Sequence, residues 1–340
     1  MSKMTSLLVT GGAGFIGSNF IHYLLEKYDN YRVINLDALT YAGDLDNLKA
    51  IESNPNYQFV HGNICDRELV NKLFSEHDIR GVIHFAAESH VDNSINGPGI
   101  FFETNVLGTQ ILLEAAYKHW MYKPFSCKEG YESARFHHIS TDEVYGSLGD
   151  TGAFTEESPH RPNSPYSASK SASDMVVRSY HKTYGLNTTT TNCSNNYGPH
   201  QHAEKFIPTV IRCALAEQSI PIYGSGKNVR DWMYVGDHCK AIDAVFHLAD
   251  GGDIFNVGGN CEYQNIEMAH IVCRGLDKLH PRKSGHYEQL ICSVKDRAGH
   301  DHRYAIDNSK FTEYISDFPH ESFEDKILGY IGESLIALAG

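Results

Sequence analysis

The chain has no Cys-x-x-Cys pair, no basic run and no apolar stretch long enough to cross a bilayer. Each absence excludes something. A membrane span needs about 20 consecutive apolar residues, so none is expected. Lys and Arg total 29 against 42 Asp and Glu, a formal charge of −13. That balance argues against nucleic acid and against an anionic membrane surface as partners. The eight cysteines are scattered along the chain, which reads as reduced thiols in a cytoplasmic protein rather than a disulfide framework. The N-terminus enters a strand almost at once, leaving no room for a secretory leader. Histidine is plentiful, at 20 residues. His200-x-His202 and His300-x-His302 nevertheless lack a third ligand at a recognisable spacing, so no metal site is expected. There is no internal repeat, low-complexity tract or flexible linker. At 340 residues, with 41% hydrophobic and 21% charged content, the chain suits one large or two modest globular domains.

What is present begins with SLLVTGGAGFIGSNFIHYLLEKY, read as strand, tight glycine turn and amphipathic helix. Gly11, Gly14 and Gly17 recur every third residue. Without side chains there, the backbone can approach a pyrophosphate whose charge the helix N-terminus stabilises. A second strand, RVINLD, ends in Asp37, 20 residues beyond Gly17. An acidic side chain at that point hydrogen-bonds both ribose hydroxyls and repels a 2′-phosphate, which selects NAD over NADP. YQFVHGNICD supplies a third strand and GVIHFAAESHVDNSI a fourth with its loop. The small Ala86 and Ala87 let that backbone lie against a cofactor.

The centre of the chain runs from His137 to Lys170. A strand, FHHIST, ends in two adjacent carboxylates, Asp142 and Glu143, and a polar loop leads to YSASK. Carboxylates at such a strand end lie in the crevice where α/β sheets bind ligands. Neighbouring carboxyls can be driven apart in pKa, leaving one as acid and the other as base. Tyr166 and Lys170, at i and i+4, share a helix face. A nearby ammonium is expected to lower the tyrosine pKa, so that it takes a proton from a hydroxyl while a hydride leaves the same carbon. The plainer readings are a surface Tyr-Lys pair and two solvated turn acids. A long helix is expected from about Gly99 to His119, with Thr104 and Asn105 on one face and Leu107, Ile111, Leu112 and Ala115 buried. IPIYGSGKNVRDWMYVGDH reads as a glycine-rich hairpin carrying Arg230. That arginine is read either as a bidentate diphosphate ligand or as the partner of Asp231 or Asp237.

Seven motifs in one order carry a resemblance: TGGAGFIGS, AAESHVD, STDEVYG, YSASK, NCSNNYGP, RDWMYVGDH and GHDHRYAID. Together they resemble the extended short-chain dehydrogenases/reductases. Within these they resemble the nucleotide-sugar 4,6-dehydratases, most closely the bacterial dTDP-glucose enzymes. The fold implied is α/β: a Rossmann-type doubly wound parallel sheet with a smaller C-terminal α/β substrate-binding domain. The NAD-binding part would comprise 1–191 with about 229–255, and the nucleotide-sugar part 192–228 and 256–340.

The resemblance implies an NAD-dependent lyase acting on a nucleotide-diphosphate sugar, dTDP-glucose above all, as a homodimer built on the 99–119 helix and the one after Tyr166. Covering the sheet is the other reading of the first helix's apolar face. The implied catalytic set is Thr141, Asp142, Glu143, Tyr166 and Lys170. Beside the residues already named, Phe15, Ile16, Thr40, Asn63, Ile64, Ser89, Thr104 and Asn196 are expected at the cofactor. Ser89, His90, Asn195, Lys205, Tyr223, Arg230, Asn265, Asp296, Arg297 and His300 are expected at the substrate. The rivals are a UDP-glucose 4,6-dehydratase and a nucleotide-sugar 4-epimerase. An epimerase would share the glycine turn and the Tyr-Lys pair but lack the adjacent acids. Asn63, Asn93, His202, Ala203 and Ala298 depart from the family pattern.

Overall fold

The structure, a computed structural model, describes residues 4–296, 300–315 and 322–339. The first strands and helices are β1 (Thr5–Thr10), α1 (Phe15–Lys27), β2 (Tyr31–Asp37), β3 (Tyr57–His61), α2 (Arg67–His77) and β4 (Ile79–His84). Short helices α3 (Val91–Asn96) and α4 (Gly99–Phe102) precede α5 (Thr109–Trp120). A small hairpin, β5 (Met121–Lys123) and β6 (Ser126–Cys127), leads to β7 (Arg135–Thr141), α6 (Pro165–Tyr184) and β8 (Thr188–Cys193). Next come β9 (Asn195–Tyr197), α7 (Phe206–Leu215), β10 (Ile220–Tyr223), β11 (Val229–Tyr234), α8 (Val235–Leu248) and β12 (Ile254–Val257). The chain closes with β13 (Glu262–Gln264), α9 (Asn265–Leu279), β14 (Ile291–Val294), α10 (Ser309–Tyr314) and α11 (Phe323–Ala339).

Seven strands form one parallel sheet in the order β12-β8-β7-β4-β1-β2-β3. The strand order reverses between β1 and β4, and the crevice beyond their C-terminal ends is where such sheets bind ligands. β1 and β2 are buried and largely apolar on both faces because helices cover both, while β7 and β8 bury histidines and threonines. Along β1, Leu8 enters a core with α2, α5 and α6, while Leu7 and Val9 enter a core with α1 and α8. Successive side chains of a strand point to opposite faces, so one short segment feeds both. A separate core joins α7, α9 and α11 to β10 and β11 through residues such as Ile207, Ile222, Trp232, Val272 and Ile331.

Two expectations are corrected. The strands β10 and β11 do not pair as a hairpin. β10 pairs in parallel with β14, while β11 lies between β9 and β13. Gly224 and Gly226 both take positive φ between them, at 56° and 71°. The turn they make sends the two strands to different sheets. The 99–119 helix is continuous but opens into a π-helical stretch over Glu103–Gly108. Asn105 is buried there, and its side chain accepts from Glu88 N and donates to Glu88 O and Ser169 Oγ. The wider turn that admits it carries Leu107 to the surface, 46% exposed. Ile111, Leu112 and Ala115 are buried as expected.

Candidate active site

The glycine turn follows directly from β1. Gly11 adopts φ 71°, which an L side chain rarely takes. A Cβ on Gly17 would collide with the Gly11 carbonyl, and one on Gly11 would lie 2.6 Å from Ala86 N. At the end of β2, Asp37 Oδ2 accepts from Ala13 N (2.9 Å) and Oδ1 from Leu39 N (2.8 Å). The carboxylate thus braces the turn, and each oxygen keeps a lone pair for a ribose hydroxyl. These features fit a dinucleotide. Backbone amides and a helix start face the phosphates, bare glycines give room, and a fixed anion lies where a 2′-phosphate would fall.

From this turn a cleft of about 420 Å³ runs across the C-terminal ends of the parallel strands. All the residues expected at the cofactor line it: Gly11, Gly14, Phe15, Ile16, Gly17, Asp37, Thr40, Asn63, Ile64, Ala86, Ala87, Ser89, Thr104, Tyr166, Lys170 and Asn196. Thr141, Asp142, Glu143, Asn195 and Lys205 line it as well. The strand β7 delivers Thr141, which caps the short 3-10 turn Asp142–Tyr145 by accepting from Glu143 N at 3.3 Å. The helix α6 delivers Tyr166 and Lys170. Its start is fixed by a Ser164–Ser167 capping box and by Pro165 at the first helical position.

The two acids differ in their surroundings. Asp142 is 2% exposed, and its Oδ2 has no hydrogen-bond partner among the described residues. Burial, then the charges of Glu143 and Asp231, raise its pKa well above the ordinary carboxyl value, against a weaker pull from Arg230. A buried carboxyl with a bare oxygen is cheaper to keep neutral than charged. Glu143 is only partly buried and reaches the cleft.

The expectation that Lys170 lowers the Tyr166 pKa is not met. Burial and then Glu143 raise it well above 10, and a hydrogen bond with Thr141 opposes them. Lys170 is turned elsewhere: its Nζ donates to Ile139 O at 2.8 Å, and burial lowers its own pKa.

Of the residues expected at the substrate, Ser89 and Lys205 also line the cleft, whereas His90 is not part of the lining. Lys205 Nζ reaches Ser89 O at 3.5 Å, and His90 Nε2 lies 3.5 Å from Glu204. Asn196 is held by Ser194 O and by His238. Tyr41, Cys193, Gln201 and His202 also line the cleft, and sequence reasoning assigned them no role. Tyr41 bonds to Ser89 Oγ at 3.1 Å and meets His202 edge-on, 5.8 Å between rings. Nothing in their spacing marks them, because separate loops bring them together.

A second group of expected substrate residues lies outside this lining. Asp296 and His300 bond at 2.7 Å, and His300 meets Tyr223 edge-on, 6.4 Å between rings. Asn265 opens α9, its backbone amide donating to Asn228 O. Arg230 is 7% exposed, donates to the Val229 and Asp301 carbonyls and sits 4.2 Å over the Tyr304 ring. Among the described residues it pairs with neither Asp231 nor Asp237. Asp231 instead accepts from Gly259 N and Cys261 N, and Asp237 pairs with Lys240 and Lys326. Arg297 and Ala298 lie outside the described residues. The two His-x-His pairs go to separate partners: His200 to Ser18, His202 to Glu204, His300 to Asp296 and His302 to Asp150. Among the described residues no three ligands gather for a metal, and no helix is long and apolar enough to cross a membrane.

Comparison with known proteins agrees with this geometry. Residues 8–327 match the family model described as GDP-mannose 4,6 dehydratase. The dTDP-glucose 4,6-dehydratase of Xanthomonas campestris pv. campestris (strain B100) is 53% identical over 325 residues, 95% of this chain and 91% of the relative. The crystal structure of the Streptomyces venezuelae dTDP-glucose 4,6-dehydratase, with NAD bound, superposes with a TM-score of 0.88. It is 42% identical and 98% of each chain is covered. The UDP-glucose 4-epimerase of Thermotoga maritima shares the scaffold at TM-score 0.84, covering 98% of this chain and all of that one, but at 27% identity. By sequence and by fold, the chain belongs to the family of the dTDP-glucose 4,6-dehydratases.

Proposed function

We propose that this protein dehydrates dTDP-glucose to dTDP-4-keto-6-deoxyglucose, with NAD as resident cofactor. The observation that carries the reading is the unequal pair Asp142 and Glu143 in the same cleft as Tyr166, Lys170 and the glycine turn. An epimerase needs no such acid and base, and the chain's likeness to a 4-epimerase is the weaker one. Relatives named for dTDP-glucose favour the dTDP sugar over its UDP counterpart.

Bound NAD⁺ supplies a hydride acceptor at carbon 4, a hydride donor for carbon 6 afterwards, and a positive charge that favours the Tyr166 phenolate. Tyr166 takes the carbon-4 hydroxyl proton, with Lys170 as the neighbouring cation and Thr141 bonded to the carbon-4 oxygen. The resulting ketone acidifies the proton on carbon 5, which Glu143 removes. Asp142, held neutral by burial, gives its proton to the departing carbon-6 hydroxyl, which leaves as water. Glu143 returns a proton to carbon 5 as carbon 6 is reduced. Glycine-turn amides hold the pyrophosphate of the cofactor. Ser89, His90, Asn195 and Lys205 bind the sugar nucleotide, with Arg230 and the Tyr223, Asn265, Asp296, His300 group at its far end, together with Arg297. The cofactor part is 1–191 with about 229–255, and the remainder holds the substrate.

A homodimer is supported by exposed apolar side chains between the start of α3 and the end of α6: Ile95, Ile100, Phe102, Leu107 and Met175. Eight free cysteines suit a reducing cytoplasm. The test is to purify the protein, assay released NAD and add dTDP-glucose to the variant Asp142→Asn/Glu143→Gln. NADH absorbance should grow without any loss of water. Wild-type elimination by that variant would contradict the roles of the two acids.

A further inference from the structure

Beneath the Tyr166–Lys170 pair lies a buried polar group that the mechanism above leaves unused. Asp174 sits one helical turn beyond Lys170 on α6 and is 6% exposed. Its carboxylate is pinned to β7, the strand that delivers Thr141 and Asp142. Ser140 Oγ donates to Oδ2 at 2.8 Å, and His138 donates through Nε2 to Oδ1 at 3.1 Å. The tautomer follows from the partner, since a carboxylate only accepts. A buried carboxylate costs several kcal/mol unless something compensates it. Two neutral hydrogen bonds do so in part, and Lys170, four residues away on the same face, adds a positive charge.

We propose that Asp174 is a positioning residue for the Tyr166–Lys170 pair: clamped to β7 by Ser140 and His138, its carboxylate is the fixed counter-charge of the buried Lys170 ammonium. The inference rests on the reading that Lys170 acts as a cation beside Tyr166. The two groups act on each other reciprocally. After burial, Asp174 is the largest influence on Lys170, raising its pKa, and Lys170 the largest on Asp174, lowering it. Burial raises the Asp174 carboxyl to about 6, and Lys170 opposes the rise, which favours the charged form at neutral pH. Among the described residues His160 is the other group whose charge lowers the Asp174 pKa, and it ranks below Lys170. From β7, His138 is held neutral by burial, as is His84 behind it on β4, whose ring lies 5.3 Å away. From the loop before α6, His160 faces Asp174 but bonds to Ser171 Oγ, and burial lowers its pKa. On the cleft side, Cys193 of β8 is pushed up to about 12 and Tyr145 is raised as well, so both stay neutral.

The test uses the Asp142→Asn/Glu143→Gln protein, in which oxidation of the sugar is isolated and Asp142 no longer titrates. The rate of NADH formation is measured against pH with dTDP-glucose, adding Asp174→Asn, Asp174→Ser or Asp174→Glu. Removing the charge should move the alkaline limb, where Lys170 loses its proton, toward neutrality by about one pH unit. At a pH on that limb the rate then falls about tenfold, while half-saturation by dTDP-glucose changes less than threefold. Asp174→Glu should restore the limb. Asp174→Ser, smaller and open to water, gives the same readout if the asparagine variant does not fold. A uniform loss of rate at every pH with the limb unmoved, or a limb that Asp174→Glu does not restore, would overturn the inference and make Asp174 merely structural. No NADH formation with Asp174 intact would mean instead that the reading beneath it has failed.

Discussion

The cofactor side and the substrate side of the cleft are built differently. Around the glycine turn the contacts are mostly backbone. Gly11, Gly17 and Ala86 approach because they have little or no side chain, and Asp37 holds two backbone amides. Apart from Ala86, which β4 brings in, local sequence specifies such a site. At the far end, Arg230 reaches the carbonyls of Val229 and Asp301 and lies over Tyr304, while His300 turns to Asp296 and Tyr223. Segments 70 residues apart build that region from side chains. The first half should therefore fail all at once when one position is changed, and the second should fail by degrees.

Gly17→Val is the largest expected break. Its side chain has no space against the Gly11 carbonyl, so NAD should be absent when the purified variant is denatured and its supernatant assayed. Tyr166→Phe should keep NAD but lose on the order of 10²–10⁴ in turnover, the range for a missing general base. Arg230→Gln acts on the other half. NAD content and the rate at saturating sugar should hold, while KM for dTDP-glucose rises by about tenfold, the scale of one charge-assisted contact. Equal losses of NAD and of sugar affinity in that variant would erase the distinction between the halves.

The smallest effect is in pH. Asp142 must be protonated to act, and its pKa is raised. Turnover should therefore fall as pH climbs through that raised value, approaching tenfold per unit above it. Oxidation needs the Tyr166 proton removed, and burial raises that pKa too. NADH formation in the Asp142→Asn/Glu143→Gln protein should thus climb over a range in which wild-type turnover declines.

How much could be read in the sequence follows the same division. The strand, glycine turn and helix at the N-terminus, Asp37 at the end of β2 and the Tyr166–Lys170 helix face all rest on short-range geometry, and the cleft gathers them. Leu107 was misread because a π-helical turn, opened by the buried Asn105, is set by contacts with Glu88 and Ser169 far away in sequence. The segment 220–234 looked like a hairpin because its glycines mark a turn. The partners of β10 and β11 lie in β14, β9 and β13, which no local pattern announces. The sign of the Tyr166 shift escaped too, since spacing alone cannot show how deeply the ring is buried or that Glu143 faces it. Tyr41 and His202 carry no motif, and only the fold makes them neighbours; the same holds for Asp174 with His138 and Ser140.

The central claim is that the adjacent acids turn an oxidation into a dehydration. Mass spectrometry of the product formed in deuterated water, with dTDP-glucose and UDP-glucose offered in parallel, tests it most directly. The account predicts a product lighter by one water that carries one solvent deuteron at carbon 5, formed faster from the dTDP sugar. A product of unchanged mass with inverted stereochemistry at carbon 4 would contradict it, and the roles of Asp142 and Glu143 would have to be withdrawn.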